Sequence, residues 1–106
     1  IHGSIIKNAE YDSIHIKQKE LLLIKKNNLY GLSTLNGVDI LSPQYEEIGD
    51  YSGGYFRVKQ QGLYGYAARS GKVYIKPQFT EAGDFFNGHA IVRIQNAYVL
   101  INISGK

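Results

Sequence analysis

Short runs of β-branched and aromatic residues alternate with polar ones at period two, and Gly, Asn and Pro separate them, which is the pattern of half-buried strands joined by tight turns. It predicts strands over residues 21–25, 55–59 and 89–93, over 29–32, 63–67 and 98–101, and over 5–7, 38–41 and 72–75. Pro43 and Pro77 are expected to stop the last of these, because proline has no N–H to donate to a ladder. After each proline the pattern changes. Apolar residues recur at every third position, Tyr45, Ile48 and Tyr51, then Phe79, Ala82 and Phe85. That spacing predicts a compact loop pinned by its apolar anchors and built around one helical turn.

The runs repeat. Shifted by 34 positions, Leu29, Tyr30, Gly31, Gly37, Pro43, Gln44, Glu47, Gly49, Asp50, Gly54, Val58 and Gln61 fall on identical residues, with no gap. Twelve identities far exceed the roughly two that background composition would give. One column is glycine throughout, Gly3, Gly37, Gly71 and Gly105, and is expected to hold the positive-φ position of a turn. Gly53 lies outside the invariant columns and is expected to tolerate a side chain better than Gly71. A second turn column holds Asn28, Gly62 and Asn96, residue types that suit two-residue hairpins.

The fold class that follows is all-β: tandem 34-residue repeats, each a three-stranded antiparallel meander, stacked as an open array. A propeller-like or closed three-fold β assembly is the alternative, since meanders also build blades. The whole chain, residues 1–106, forms a single repeat domain on this reading, with partial units at 1–28 and 97–106 and full units at 29–62 and 63–96. Both ends then fall inside one hairpin of the repeat. The strand at 5–7 and the strand at 98–101 are expected to satisfy one another, between molecules or against neighbouring repeats rather than by ring closure within one molecule, so a homo-oligomer through the terminal strands is one expected partnership.

Composition narrows the functional classes. The chain lacks cysteine, methionine and tryptophan, so it has no thiolate metal site, no disulfide framework and no cysteine nucleophile, and it reads as a processed or excised piece of something longer. A net charge of +3, dispersed along the chain, does not mark a nucleic-acid binder, and no apolar run reaches the ~20 residues of a membrane helix. His2, His15 and His89 occupy three different repeat columns and lack partners at ligand spacing. Glu46, Glu47 and Asp50 fit a solvated acidic loop in which Asp50 is the capping carboxylate better than a calcium loop. No catalytic, cofactor or metal residues are expected. Two repeated columns remain as a candidate binding surface. Lys25, Lys59 and Arg93 would form a ladder of cations, and Tyr30, Tyr64 and Tyr98 would place one aromatic ring per unit where a sugar or peptide could lie. The plainer alternative is that the cations form a solvated strip and that each tyrosine packs beside Gly31 or Gly65, where another backbone can approach closely.

The segment from Leu29 to Pro43, continued by Gln44-Tyr45-Glu46-Glu47-Ile48-Gly49-Asp50-Tyr51, resembles the bacterial WG-repeat family, and the unit from Leu63-Tyr64-Gly65 through Gly71, Pro77-Gln78-Phe79 and Gly83-Asp84-Phe85 is similar to it throughout. Tyrosine stands at Tyr30, Tyr64 and Tyr98 where that family has tryptophan, and Val99 follows in place of glycine. The resemblance implies a bacterial β-repeat scaffold, often part of a longer protein and often outside the cytoplasm. The resemblance is nearly silent on activity; the missing catalytic and metal constellations point to a non-catalytic protein-interaction module, and the 13 aromatic residues keep a carbohydrate or cell-envelope ligand binder as the alternative.

Overall fold

The computed structural model describes residues 11–18 and 21–103. The chain divides into two compact units, Ile1–Gln44 and Tyr45–Lys106. All regular structure among the described residues is antiparallel β. In the first sheet, β1 (Ser13–Lys17), β2 (Leu21–Lys26), β3 (Leu29–Thr34) and β4 (Asp39–Tyr45) lie side by side in chain order. A second sheet repeats that order with β5 (Glu47–Ser52), β6 (Tyr55–Gln60), β7 (Leu63–Ala68) and β8 (Val73–Phe79). The third contains β9 (Glu81–Ala82), β10 (Ala90–Ile94) and β11 (Ala97–Ile101), with β10 in the middle.

The period of 34 is visible in the pairing. Ile14 lies opposite Ile24, Ile48 opposite Val58, and Ala82 opposite Val92. The turns obey their residues as well. Asn27 and Asn28 have φ of 54° and 67°, and Gln61 and Gly62 have 53° and 80°, so both central residues of these hairpins are left-handed, as the twist of the flanking strands requires. Gly37 and Gly71 have φ of 89° and 94°. Gly3, Gly105 and the strand expected at 5–7 lie outside the described residues.

Two expectations need correction. The connection after each proline is not a loop around a helical turn: it supplies β5 and β9, so the meander gains a fourth strand. A register shift between Ile48 and Tyr51 explains the apolar spacing of three, because the extra residue of a β-bulge lets Ile48 face Val58 and Tyr51 face Phe56 on the same partner strand. Nor do the prolines stop their strands. β4 and β8 run through Pro43 and Pro77 as the outer strands of their sheets, where a missing N–H leaves no ladder bond unmade.

These outer strands come very close to β3 and β7. A Cβ on Gly31 would stand 2.5 Å from the Leu41 carbonyl oxygen, and one on Gly65 would stand 2.4 Å from that of Ile75. The tight backbone approach foreseen beside the tyrosines is therefore made by the next strand of the same meander. Gly53 also departs from expectation. Its φ is 60° and a Cβ would lie 2.5 Å from the Phe85 carbonyl oxygen, which makes it a demanding position rather than a tolerant one.

In the second compact unit one core is shared by the second and third sheets. Tyr66, Ile75, Phe79, Phe85, Ala90, Val92 and Ile101 form it, with Tyr55 and Tyr64 packed at its margin. Burying a Phe side chain of this kind is worth roughly 1.5–3 kcal/mol, so Phe79 and Phe85 carry much of the attachment between the sheets.

Candidate functional site

Strand pairing places the two repeated columns against each other. Lys25 lies opposite Tyr30, Lys59 opposite Tyr64, and Arg93 opposite Tyr98. Each cation lies over its own tyrosine: Lys25 Nζ is 5.4 Å from the Tyr30 ring centroid, Lys59 Nζ is 5.4 Å from that of Tyr64, and Arg93 Cζ is 5.6 Å from that of Tyr98.

In two of the three sheets the preceding strand adds a carboxylate. Glu47 accepts a hydrogen bond from the Tyr64 hydroxyl at 3.4 Å and pairs with Lys59 at 3.5 Å. Glu81 accepts from the Tyr98 hydroxyl at 3.2 Å and from Arg93 Nη1 at 2.6 Å. Ser13 holds the corresponding place opposite Lys25. The Arg93 and Tyr98 hydrogen bonds hold the Glu81 carboxyl below its ordinary pKa, and the bond to Glu81 raises that of the Arg93 guanidinium. Each cation thus joins two neighbouring strands of one sheet.

Carboxylates one position earlier cap the turns. Asp12 Oδ2 accepts from the Asn28 N–H at 3.3 Å, and Glu46 Oε2 accepts from the Gly62 N–H at 3.2 Å. In the third sheet Thr80 stands there and turns its hydroxyl to the Arg93 carbonyl. The sequence pattern predicts the cap at Asp50; Glu46, from the same acidic loop, is the residue that caps the turn at Gly62. Asp84, in the column of Asp50, pairs with Arg57 at 3.2 Å. His15 and His89 are exposed, His2 lies outside the described residues, and among the described residues no group of three His, Cys, Asp or Glu could hold a metal.

Two further regions were missed by sequence reading. The first is a seat on the second sheet that holds residues 82–85. Ser52 Oγ donates to the Phe85 carbonyl at 2.8 Å, Arg57 Nη1 donates to the Ala82 carbonyl at 3.3 Å, and the Tyr66 hydroxyl donates to the Gly83 carbonyl. The Phe85 ring lies 4.6 Å from that of Tyr66 and 5.1 Å from that of Tyr55. Burial pushes the Tyr66 phenol up to about 12, with Arg57 opposing the shift and Asp84 adding to it.

The second region is a shallow cleft of about 300 Å³ on the third sheet, lined by Asp84, Phe86, His89, Ala90, Ile91 and Leu100. Four of these stand 34 positions beyond the residues of the seat: Phe86 for Ser52, His89 for Tyr55, Ile91 for Arg57 and Leu100 for Tyr66. Tyr66 is fully buried, whereas Leu100 and Ile91 are each 59% exposed and Phe86 is 73% exposed. Comparing the two units for columns that change from polar to apolar would have picked these residues out of the sequence.

No curated protein and no solved structure shows significant similarity to the chain. The WG containing repeat family matches residues 34–64 and 64–98, more than half the length and in the same period as the sheets. The chain belongs to the WG containing repeat family.

Proposed function

We propose that this chain is a non-catalytic repeat scaffold, a protein-interaction module of a larger bacterial protein. The observation that carries this reading is the use made of the repeated polar groups. The Lys25, Lys59 and Arg93 column and the Tyr30, Tyr64 and Tyr98 column act on one another within each sheet, and Glu47 and Glu81 tie them to a third strand. Groups engaged in this way brace hairpins. Beside them the third sheet exposes Phe86, Ile91 and Leu100, and exposed apolar surface of this kind is suited to another polypeptide.

A second reading has one observation in its favour. The Tyr98 ring is 64% exposed and could stack on a sugar in a carbohydrate or cell-envelope ligand. The two readings separate in a titration of the labelled chain with soluble cell-wall oligosaccharides, followed by NMR. The scaffold reading expects no saturable shift at Tyr98. A saturable shift there that disappears in Tyr98→Ala would replace it with the carbohydrate reading.

A further inference from the structure

The cleft on the third sheet is the same seat that holds residues 82–85 on the second sheet, rewritten in apolar residues, and the rewriting indicates its occupant. On the second sheet the occupant is the segment running from β9 to Phe85, and it brings an acidic residue, Asp84, to meet Arg57. On the third sheet Ile91 replaces Arg57, Leu100 replaces the Tyr66 hydroxyl and Phe86 replaces the Ser52 hydroxyl. A segment that fits must be of the β9 type, apolar, and without the acid.

β1 has these properties. It is the counterpart of β5 and β9, pairing Ile14 with Ile24 as Ala82 pairs with Val92, and among the described residues it is an outer strand of its sheet. By position Ile16 stands in the column of Asp50 and Asp84, so the acid is gone where the arginine is gone. By pairing, Ile16 lies opposite Leu22 as Tyr51, in the column of Phe85, lies opposite Phe56. Ile16 is 72% exposed and Ile14 is exposed beside it. Lys17, not an aromatic residue, takes the column of Phe85, so the contact rests on the two isoleucines and is weaker than the one within the chain.

We propose that β1 of one copy docks in the Phe86, Ile91 and Leu100 cleft of a second copy, so that copies associate head to tail. The proposal rests on the interaction-module reading and names the partner as the chain itself. Such a contact is heterologous and does not close on two copies, so species beyond the dimer form as concentration rises.

Sedimentation velocity over a wide concentration range tests it with the full chain and three samples. The wild type is expected to associate. Ile16→Asp and Ile91→Arg, both at exposed positions and checked for folding by circular dichroism, should each weaken association by about tenfold or more, since each leaves a charge facing an apolar surface. An equal mixture of the two variants should associate again, because it restores an Asp and Arg pair like that of Asp84 and Arg57. A wild type that stays monomeric throughout overturns the proposal and leaves the scaffold reading to the oligosaccharide titration. Weakening by Ile91→Arg but not by Ile16→Asp also overturns it, because the cleft would then be taking some other surface. Failure of the mixture to associate overturns the pairing of β1 with the cleft.

Discussion

On the second sheet Ser52, Arg57 and Tyr66 hold residues 82–85 through hydroxyl and guanidinium bonds to the backbone carbonyls. At the same three columns the third sheet carries Phe86, Ile91 and Leu100, which face outward around a cleft. The two sheets share the antiparallel order of their first three strands, and the central hairpin pairs in the same register in both, although the second sheet adds β8. On that shared hairpin the contrast lies in the side chains. One repeat frame can thus make an internal, polar and specific junction between neighbouring sheets, or an outward, apolar surface, by changing a few residues at positions the turns and strands leave free.

The largest effect that would break this contrast is at the two matching turns. Gly53 abuts the Phe85 backbone, whereas its counterpart Asn87, with φ of 52°, already carries a side chain in the left-handed region. Gly53→Val is expected to cost roughly 3 kcal/mol or more, from positive-φ strain and a clash with backbone that cannot move aside, and Asn87→Ala under about 1 kcal/mol. Chemical denaturation of the two variants checks this. Equal midpoints would mean that Gly53 does not sit in an occupied seat.

Tyr66 sharpens the contrast through its ionisation. Its phenol is raised to about 12 in the folded chain, above the ordinary value of 10. The stability it contributes is therefore complete below pH 10 and is lost as pH rises from 10 through about 12, on the order of 2–3 kcal/mol in all. Tyr66→Phe should lose about 1 kcal/mol near neutral pH, from the missing bond to Gly83, and should then show less of the alkaline loss. Thermal unfolding followed from pH 8 to 12 measures both. Leu100→Ala, at the matching position of the third sheet, is expected to shift stability by no more than about 0.5 kcal/mol.

Much of the fold could be read in the residues. Gly37, Gly71, Asn28 and Gly62 mark positive-φ turns, whereas in the last hairpin Gln95 rather than Asn96 takes that conformation, and the alternating runs mark β2, β3, β6, β7, β10 and β11 within a residue or two. β5 was hidden because a bulge turns an apolar spacing of two into three, which imitates a helical turn, and β9 because it pairs over only two residues. The continuation of β4 and β8 through proline was hidden because a sequence does not say which strand is outermost. The repeated columns can be read as positions in the sequence, yet only pairing reveals that Lys59 lies opposite Tyr64 and that Glu47, from the strand missed, joins them. The cleft is a difference between repeats, so a search for what repeats passes over it.

The smallest expected effect concerns the Arg93, Tyr98 and Glu81 cluster, which is exposed. The pKa of Glu81 is depressed by its hydrogen bonds, so its contribution is present above the ordinary carboxylate range and is lost as pH falls through and below that range. The melting temperature of Glu81→Gln should lie slightly below that of the wild type at neutral pH and converge with it in acid. A gap that widens as pH falls would contradict the assignment of Glu81 as the charged partner of Arg93.

A dilution series of backbone amide spectra of the labelled chain separates columns that brace the sheets from a cleft and a β1 that meet other copies. Amides of Phe86, Ile91 and Leu100 are expected to shift together with those of Ser13–Lys17 as concentration changes, while Tyr30 and Tyr64 stay fixed. Shifts centred on Tyr30 and Tyr64, with the cleft and β1 unmoved, would contradict that division.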